Sequence, residues 1–539
     1  MPRNFDSSAL TQLQKSRAVA FFQTKQQLLT NSSNPGKNFP IFNPQTGSFD
    51  ASRQLEVMNG NYTTYTQGFP IMVPSVPPTS VLPYPLIQPA FVDPPIPIDQ
   101  TVLYAFETVL TYGASQNYPP TFMSRYFYMW FMSVFGAWNW VLNAPAVPGT
   151  KDGWDFTTQT PLNYDDSTTW MVAAIEQIMT DMSITGYNSS YLWNRTKTCH
   201  GWDDATLVAE VARIKATGHW DQWRTAINAW RSVRNADGSA TARLPGPIPT
   251  SPNEQYPNGS TTLDPSNNNI DFSNTTNYPA PTEWTPLILS GAPKRYASPT
   301  WYNVTSTCPA AIDYAALSTA AATHFPSTEQ RYIELEELLQ LTGSMGNHDK
   351  MIAEWWAGGP NTVTPPGIFM WYWKDYMATY NMATTQGINA FMLSGLQLTV
   401  GLFETSRVIW AQKLLYTEAR PIQDIRRLWS GQTVRGYDGV FRDGGAWMPY
   451  QEANFVTPPF PDFPSGHSGF SSMFERVMTQ WFGATINRSR SVTMTDLQLV
   501  TFDLLGSVQT QPFGTVVFPT GSSKVQAGVP YTAYYHRIY

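Results

Sequence analysis

INAFMLSGLQLTVGLFETSRVIWAQKLLYTEA, residues Ile388–Ala419, reads as the longest helix of the chain. Arg420-Pro421 closes it, because proline disfavours helical geometry in the residue before it. Further helical patterns surround it, at Thr101–Tyr112, Ser124–Val141, Thr168–Met182, Ala205–Ala216, Ala310–Ala322, Thr328–Leu341 and Lys350–Ala357. Alternating strand patterns are scarce. Helices with short connections and few strands predict an all-α helical bundle with long Pro/Asn-rich loops. No tandem repeat is visible.

Composition supports a large core. The 539 residues are 42% hydrophobic and 14% aromatic, enough to exclude disorder over the whole length. Charged residues make up 13%, about half the typical 25%, so neutral polar side chains must carry much of the surface. A net charge of −6, with no run of Lys or Arg, argues against a nucleic-acid partner. Phe122–Val141 is the most apolar helical segment, but Arg125 and Asn139 interrupt it, so it is expected in a core and no membrane span is expected. The first 27 residues lack the apolar stretch of a signal peptide, while eight Asn-X-Ser/Thr sequons leave secretion open. A homo-oligomer is equally compatible with the sequence.

Residues 1–99 are expected to hold an amphipathic helix, Ser8–Thr30, and a Pro-rich extended segment, Pro70–Pro97. Residues 100–539 then form the helical domain, with a loop-rich insertion around 244–300. Cys199 and Cys308 cannot build a disulfide framework, although a single bridge is open to them. His200, His219, His324 and His348 are scattered, and Cys199-His200 lacks the ligand count of a structural zinc site. Asp438, Arg442 and Asp443, in a Gly-rich stretch, read as a hydrogen-bonded loop, with a cation site as the alternative.

Two elements suit an oxyanion. Lys413 and Arg420 are seven apart, two turns of one helix, and so are expected on one face, with a solvated face paired to Glu418 as the plainer reading. Pro464-Ser465-Gly466-His467 opens a second helical run through Phe474, Val477 and Trp481. A helix N-terminus offers free amides and a positive dipole end, Gly466 admits close approach, and Ser465 adds a hydroxyl.

Lys413, six residues, Arg420-Pro421, then Pro464-Ser465-Gly466-His467, resembles the first two signature motifs shared by vanadium-dependent haloperoxidases and type-2 phosphatidic acid phosphatases. Trp410, three residues before the lysine, and Pro459-Phe460-Pro461-Asp462-Phe463 look more like the chloroperoxidase branch, as does KMIAEWWAGGPNTVTPP at Lys350–Pro366. The likeness runs from about Ser124 to Pro530 and is strong from Lys350 onward. It implies a helical bundle of the vanadium haloperoxidase and acid phosphatase type, with vanadate as cofactor and hydrogen peroxide and halide as substrates. Lys413, Arg420, Ser465 and Gly466 would hold the vanadate, His467 would act as the acid/base near neutral pH, and Trp410 and Phe460 would line the halide side. At roughly 4 Å and an effective dielectric near 20, each cation would contribute about 4 kcal/mol of attraction before desolvation.

Two departures qualify that expectation. The family's third motif, Ser-Arg, five residues, His, three residues, Asp, supplies a second arginine and the histidine bonded to vanadium, and it does not occur here. Tyr531–Tyr539 reads instead as a foreign ending, which suggests a truncated C-terminus, and His536-Arg537 have the wrong order and spacing to substitute. Gly358 stands where relatives commonly carry an acidic residue that supports the histidine, leaving Glu354 as the candidate partner. The sequence therefore predicts a haloperoxidase homologue with little or no activity as written. The alternatives are an acid phosphatase of the same superfamily and a non-catalytic scaffold.

Overall fold

The computed structural model describes residues 98–142, 164–185, 193–194, 197, 201–244, 284, 287–289, 292–293, 296–308, 312–326, 328–359, 362–377, 385–451 and 455–482. It also describes the backbone of strands at 42–43, 48–49, 489–495, 498–502, 508–509 and 530–534. The helix expected at Ser8–Thr30, the Pro-rich segment, most of the insertion, Cys199, His200, His536 and Arg537 lie outside the described residues, as do the side chains of His348 and Glu354.

The described residues are mainly helical. In chain order the helices are α1 (Ile98–Ser115), α2 (Pro120–Leu142), α3 (Tyr164–Asp181), α4 (Asp204–Lys215), α5 (Gly218–Asn235), α6 (Tyr314–His324), α7 (Thr328–Ser344), α8 (Asn347–Trp356), α9 (Thr364–Met377), α10 (Thr385–Tyr416), α11 (Pro421–Leu428) and α12 (Gly466–Phe482). Side-chain caps start several of them. Asp203 accepts the Thr206 amide at 2.8 Å, Thr217 the Trp220 amide at 3.2 Å and Asp313 the Ala316 amide at 2.9 Å, each worth about 1 kcal/mol. Sequence periodicity did not single out α5, α9 or α11. Strands Thr433–Arg435 and Phe441–Asp443 form a hairpin, and near the C-terminus Ser489–Thr495 pairs antiparallel with both Gln498–Phe502 and Pro530–Tyr534.

α10 is the central pillar, packed against α2, α12 and α9. α2 is apolar around nearly its whole circumference, as a fully buried helix must be. Its Arg125 reaches Asp237 at 2.7 Å and the Arg234 carbonyl at 2.6 Å, so the charge that interrupts the apolar run is paired inside the protein. No helix among the described residues is long and apolar enough to cross a membrane. Aromatic rings fill the junction of α1, α2, α9 and α10: Phe131 lies 5.1 Å from Phe106 and 5.2 Å from Trp373, and Trp373 lies 4.7 Å from Phe391.

The end of the expected insertion is packed rather than loose. Trp284 and Trp301 are buried, Trp301 Nε1 donates to Ser406 Oγ at 2.8 Å, and the hydroxyls of Thr121 and Ser298 meet at 2.7 Å. A second, smaller core joins α7 to α11, with Tyr332 stacked on Trp429 at 5.0 Å and Ile422, Ile425 and Trp447 around them. This second core carries Arg331 on α7 to the start of α11.

α10 crosses α2 at Gly395, where a Cβ would stand 2.3 Å from Phe131 Cε1 and 2.8 Å from Trp373 Cζ2. Rigid rings cannot yield to it cheaply. Gly395→Ala should lower the unfolding free energy by about 1–3 kcal/mol, measured by chemical denaturation against the native chain.

Candidate functional site

The helix read as Ile388–Ala419 stops at Tyr416, which changes the geometry of the two cations. Thr417 adopts a φ of +46°, strained for a β-branched residue, and the Trp284 amide holds its carbonyl at 2.6 Å. Arg420 is extended and caps α11 rather than extending α10. Lys413 and Arg420 therefore do not share one helix face. The break at 417–420 brings both instead to Phe460, their cationic atoms 5.2 and 4.8 Å from its ring centroid.

Lys413 is completely buried. Its ammonium donates to the carbonyls of Pro461 at 2.8 Å, Asp462 at 2.8 Å and Pro464 at 2.6 Å, which uses all three of its protons. Burial and the adjacent Arg420 push its pKa well below the usual lysine range, with Asp462 and Glu418 opposing them. The Asp462 amide in turn donates to the Glu418 carbonyl at 2.9 Å. Lys413 thus pins the loop that launches α12.

Arg420 donates through Nε to the Phe460 carbonyl at 2.7 Å and pairs with Asp462 Oδ1 at 3.2 Å. Arg331 is the functional candidate that sequence reasoning missed. It pairs with Asp462 Oδ2 at 3.0 Å and Asp424 at 3.1 Å, and donates to the Ala419 carbonyl at 2.7 Å. Glu418, expected as a surface partner, is buried 3.9 Å from it. Burial alone would lower the Arg331 pKa, but Asp424, Asp462 and Glu418 together hold it up. Burial likewise favours the neutral form of Asp462, yet Arg420, Arg331 and Lys413 outweigh it and keep that carboxyl below the ordinary range. The one acidic residue in the Phe460–Pro464 run was the visible sign that buried cations awaited it.

α12 begins beside this cluster. Ser465 Oγ accepts the Ser468 amide at 3.2 Å, and the Gly469 amide meets the Ser465 carbonyl at 3.2 Å. The amides of Gly466 and His467 have no partner among the described residues. A Cβ on Gly466 would meet nothing nearer than Phe470 Cε2, at 4.0 Å, so the helix end is open.

His467 Nε2 lies 2.7 Å from the carbonyl of Trp356, the last residue of α8. A terminal helix carbonyl has no intrahelical partner, so it is free to take the imidazole proton. This backbone carbonyl fills the orienting role sought in an acidic side chain. Gly358 sits at φ +55° with its Cβ position 3.1 Å from Pro365 Cδ, so this turn requires glycine. Burial lowers the His467 pKa to about 4, the Trp356 carbonyl opposing this and Arg420 and Lys413 adding to it. The side chain is therefore neutral at pH 7, a correction to the expectation of titration near neutrality.

Trp410 is buried, packs 4.9 Å from Phe460, and donates to the Ala297 carbonyl at 2.9 Å, while the Ala297 amide meets the Pro459 carbonyl at 2.9 Å. Tyr296, next in the chain, is buried with its hydroxyl unpartnered, within the field of Arg420. The Asp438 region is a hydrogen-bonded loop: Arg442 pairs with Asp438 at 2.6 Å, and Asp443 accepts the amides of Gly431 at 2.8 Å and Gly445 at 2.6 Å. Among the described residues no group of three or more His, Cys, Asp or Glu could hold a metal ion.

Residues 394–533 match the family described as the VCPO second helical-bundle domain. Among solved structures, a bacterial vanadium-dependent iodoperoxidase is 17% identical, covering 74% of this chain and 84% of its own, with a TM-score of 0.46. A holo-type bacterial vanadium-dependent chloroperoxidase is 13% identical over 77% of this chain and 83% of its own, with a TM-score of 0.47. No curated protein matches the sequence. The matched residues include Lys413, Arg420 and the start of α12, while Arg331 and Trp356 lie outside them.

Proposed function

We propose that this chain is a vanadium haloperoxidase homologue whose α12 N-terminus receives vanadate, the cofactor through which halide would be oxidised by hydrogen peroxide. One observation carries the reading: within the family-matched segment, two free amides and the Ser465 hydroxyl converge at an open helix end backed by Lys413 and Arg420. Amides and the helix dipole favour an anion there.

The helix end fits a tetrahedral oxyanion. Ser465 and the amides of Gly466 and His467 would contact it, with Lys413 and Arg420 supplying field from behind rather than free hydrogen bonds. Vanadate, when bound, supplies the metal centre that makes peroxide an oxidant of halide. The protein's own contribution is proton handling and orientation. With Nε2–H given to Trp356, His467 keeps the Nδ1 lone pair as an acceptor, so at neutral pH it is a base for the peroxide proton. Phe460, backed by the buried Trp410, gives the two cations an apolar neighbour.

The local charge limits this function. Arg331, Lys413 and Arg420 face Asp462, Asp424 and Glu418, three cations against three carboxylates. A bound oxyanion would gain little net attraction from such a set.

Orthovanadate should bind the purified chain weakly, followed by calorimetry, with inorganic phosphate competing. Halide oxidation with vanadate and peroxide should be slight or nil. Absence of vanadate binding at millimolar concentration would overturn the oxyanion site, and rapid bromination would overturn the expected weakness.

Stability should also report the partly buried imidazole of His467. A histidine with folded pKa near 4 and unfolded pKa near 6.5 contributes fully above pH 6.5, and its contribution is lost as pH falls toward 4. The loss amounts to about 3 kcal/mol. His467→Gln should flatten that slope in urea titrations between pH 4 and 7. The difference between the two proteins isolates the imidazole, because Asp424, held up to about 6 chiefly by burial, titrates in both.

A further inference from the structure

We infer that Asp462 is the built-in occupant of a two-arginine oxyanion clamp, its carboxylate holding Arg331 and Arg420 where an external oxyanion would otherwise be bound. The inference rests on the proposed oxyanion site and assigns Arg331 to it.

Each arginine takes one carboxylate oxygen, Arg420 at 3.2 Å on Oδ1 and Arg331 at 3.0 Å on Oδ2. Two guanidinium groups on opposite oxygens of one small anion is the arrangement that also suits a tetrahedral oxyanion, whose charge and acceptor spacing are similar. Neither arginine depends on Asp462 for its position. Arg331 is separately anchored by Asp424 and the Ala419 carbonyl, and Arg420 by the Phe460 carbonyl and ring. Removing the carboxylate would therefore leave a preorganised pair of cations rather than a collapsed one.

The backbone of residue 462 is held independently too, its carbonyl by Lys413 and its amide by the Glu418 carbonyl. The side chain is thus the replaceable part. It is also the accessible one: the Asp462 side chain is 25% exposed, against 4% for Asp424 and 3% for Glu418. Of the three carboxylates, Asp462 is the one an anion arriving from solvent meets first.

The test is calorimetric titration of the full chain with orthovanadate, and in parallel with inorganic phosphate, in native protein, Asp462→Ala and Asp462→Asn. Asp462→Ala removes charge and volume and should tighten binding at least tenfold. Asp462→Asn removes the charge and one acceptor but keeps the volume, and should tighten it by less. Adding Arg331→Ala to Asp462→Ala should return affinity to the native level. Equal affinity in all three proteins would overturn the clamp while leaving the oxyanion site standing. No binding in any of them would overturn both. Asp462→Asn preserves shape and one of the two acceptors, so it decides the case if Asp462→Ala does not fold. Failure of both variants to fold would also overturn the inference, because the carboxylate would then be a structural partner the arginines cannot do without.

Discussion

The ammonium of Lys413 is the charge around which the site is arranged. An unpaired charge at complete burial would be prohibitively costly, and here three backbone carbonyls from residues 461, 462 and 464 meet it within hydrogen-bonding distance. Those carbonyls belong to a proline-rich run that forms no regular ladder, so the lysine supplies the partners the run lacks. The consequence is directional. By fixing 461–464, Lys413 sets where α12 begins and therefore where the amides of Gly466 and His467 point.

That arrangement depends on a stiff scaffold. α10 is braced along its length by α2, α9 and α12, and the ring cluster of Phe106, Phe131, Trp373 and Phe391 leaves little room for it to slide. Its end is set by Thr417, held in an unfavourable backbone conformation through Trp284, from the chain that returns after the insertion. The second core around Tyr332 and Trp429 delivers Arg331 from another direction. The site thus draws its parts from five separate stretches of chain, around residues 284–297, 331, 356, 410–424 and 460–467.

Electrostatic balance then decides how such a site behaves. Matching three cations with three carboxylates leaves the cluster with little net charge, which works against anion capture. His467 follows the same logic: partly buried and within the field of Arg420 and Lys413, it is more stable neutral, and the Trp356 carbonyl selects which nitrogen keeps the proton. A neutral, oriented imidazole at an open helix end remains chemically useful even where net positive field is small.

The helical class, the core position of α2, the loop around Asp438 and the two motifs that meet at α12 were legible in the sequence, because they follow from local periodicity, hydropathy and neighbouring residues. Lys413, Arg420, Ser465, Gly466 and His467 were visible as candidates for the same reason, since each sits in a short recognisable pattern. Their relation was not. A seven-residue spacing says one helix face only if the helix continues, and the turn at Thr417 depends on a contact with Trp284, far away in the chain. The pairing of Arg331 with Asp462, the carbonyl of Trp356 on His467, and the resulting charge balance and lowered histidine pKa arise from segments that meet only when the cores close. By itself the sequence determined which residue types were present to meet an anion. Tertiary structure alone decided which donors remain free, because hydrogen-bond and charge satisfaction are properties of the packed neighbourhood and not of the chain's local order.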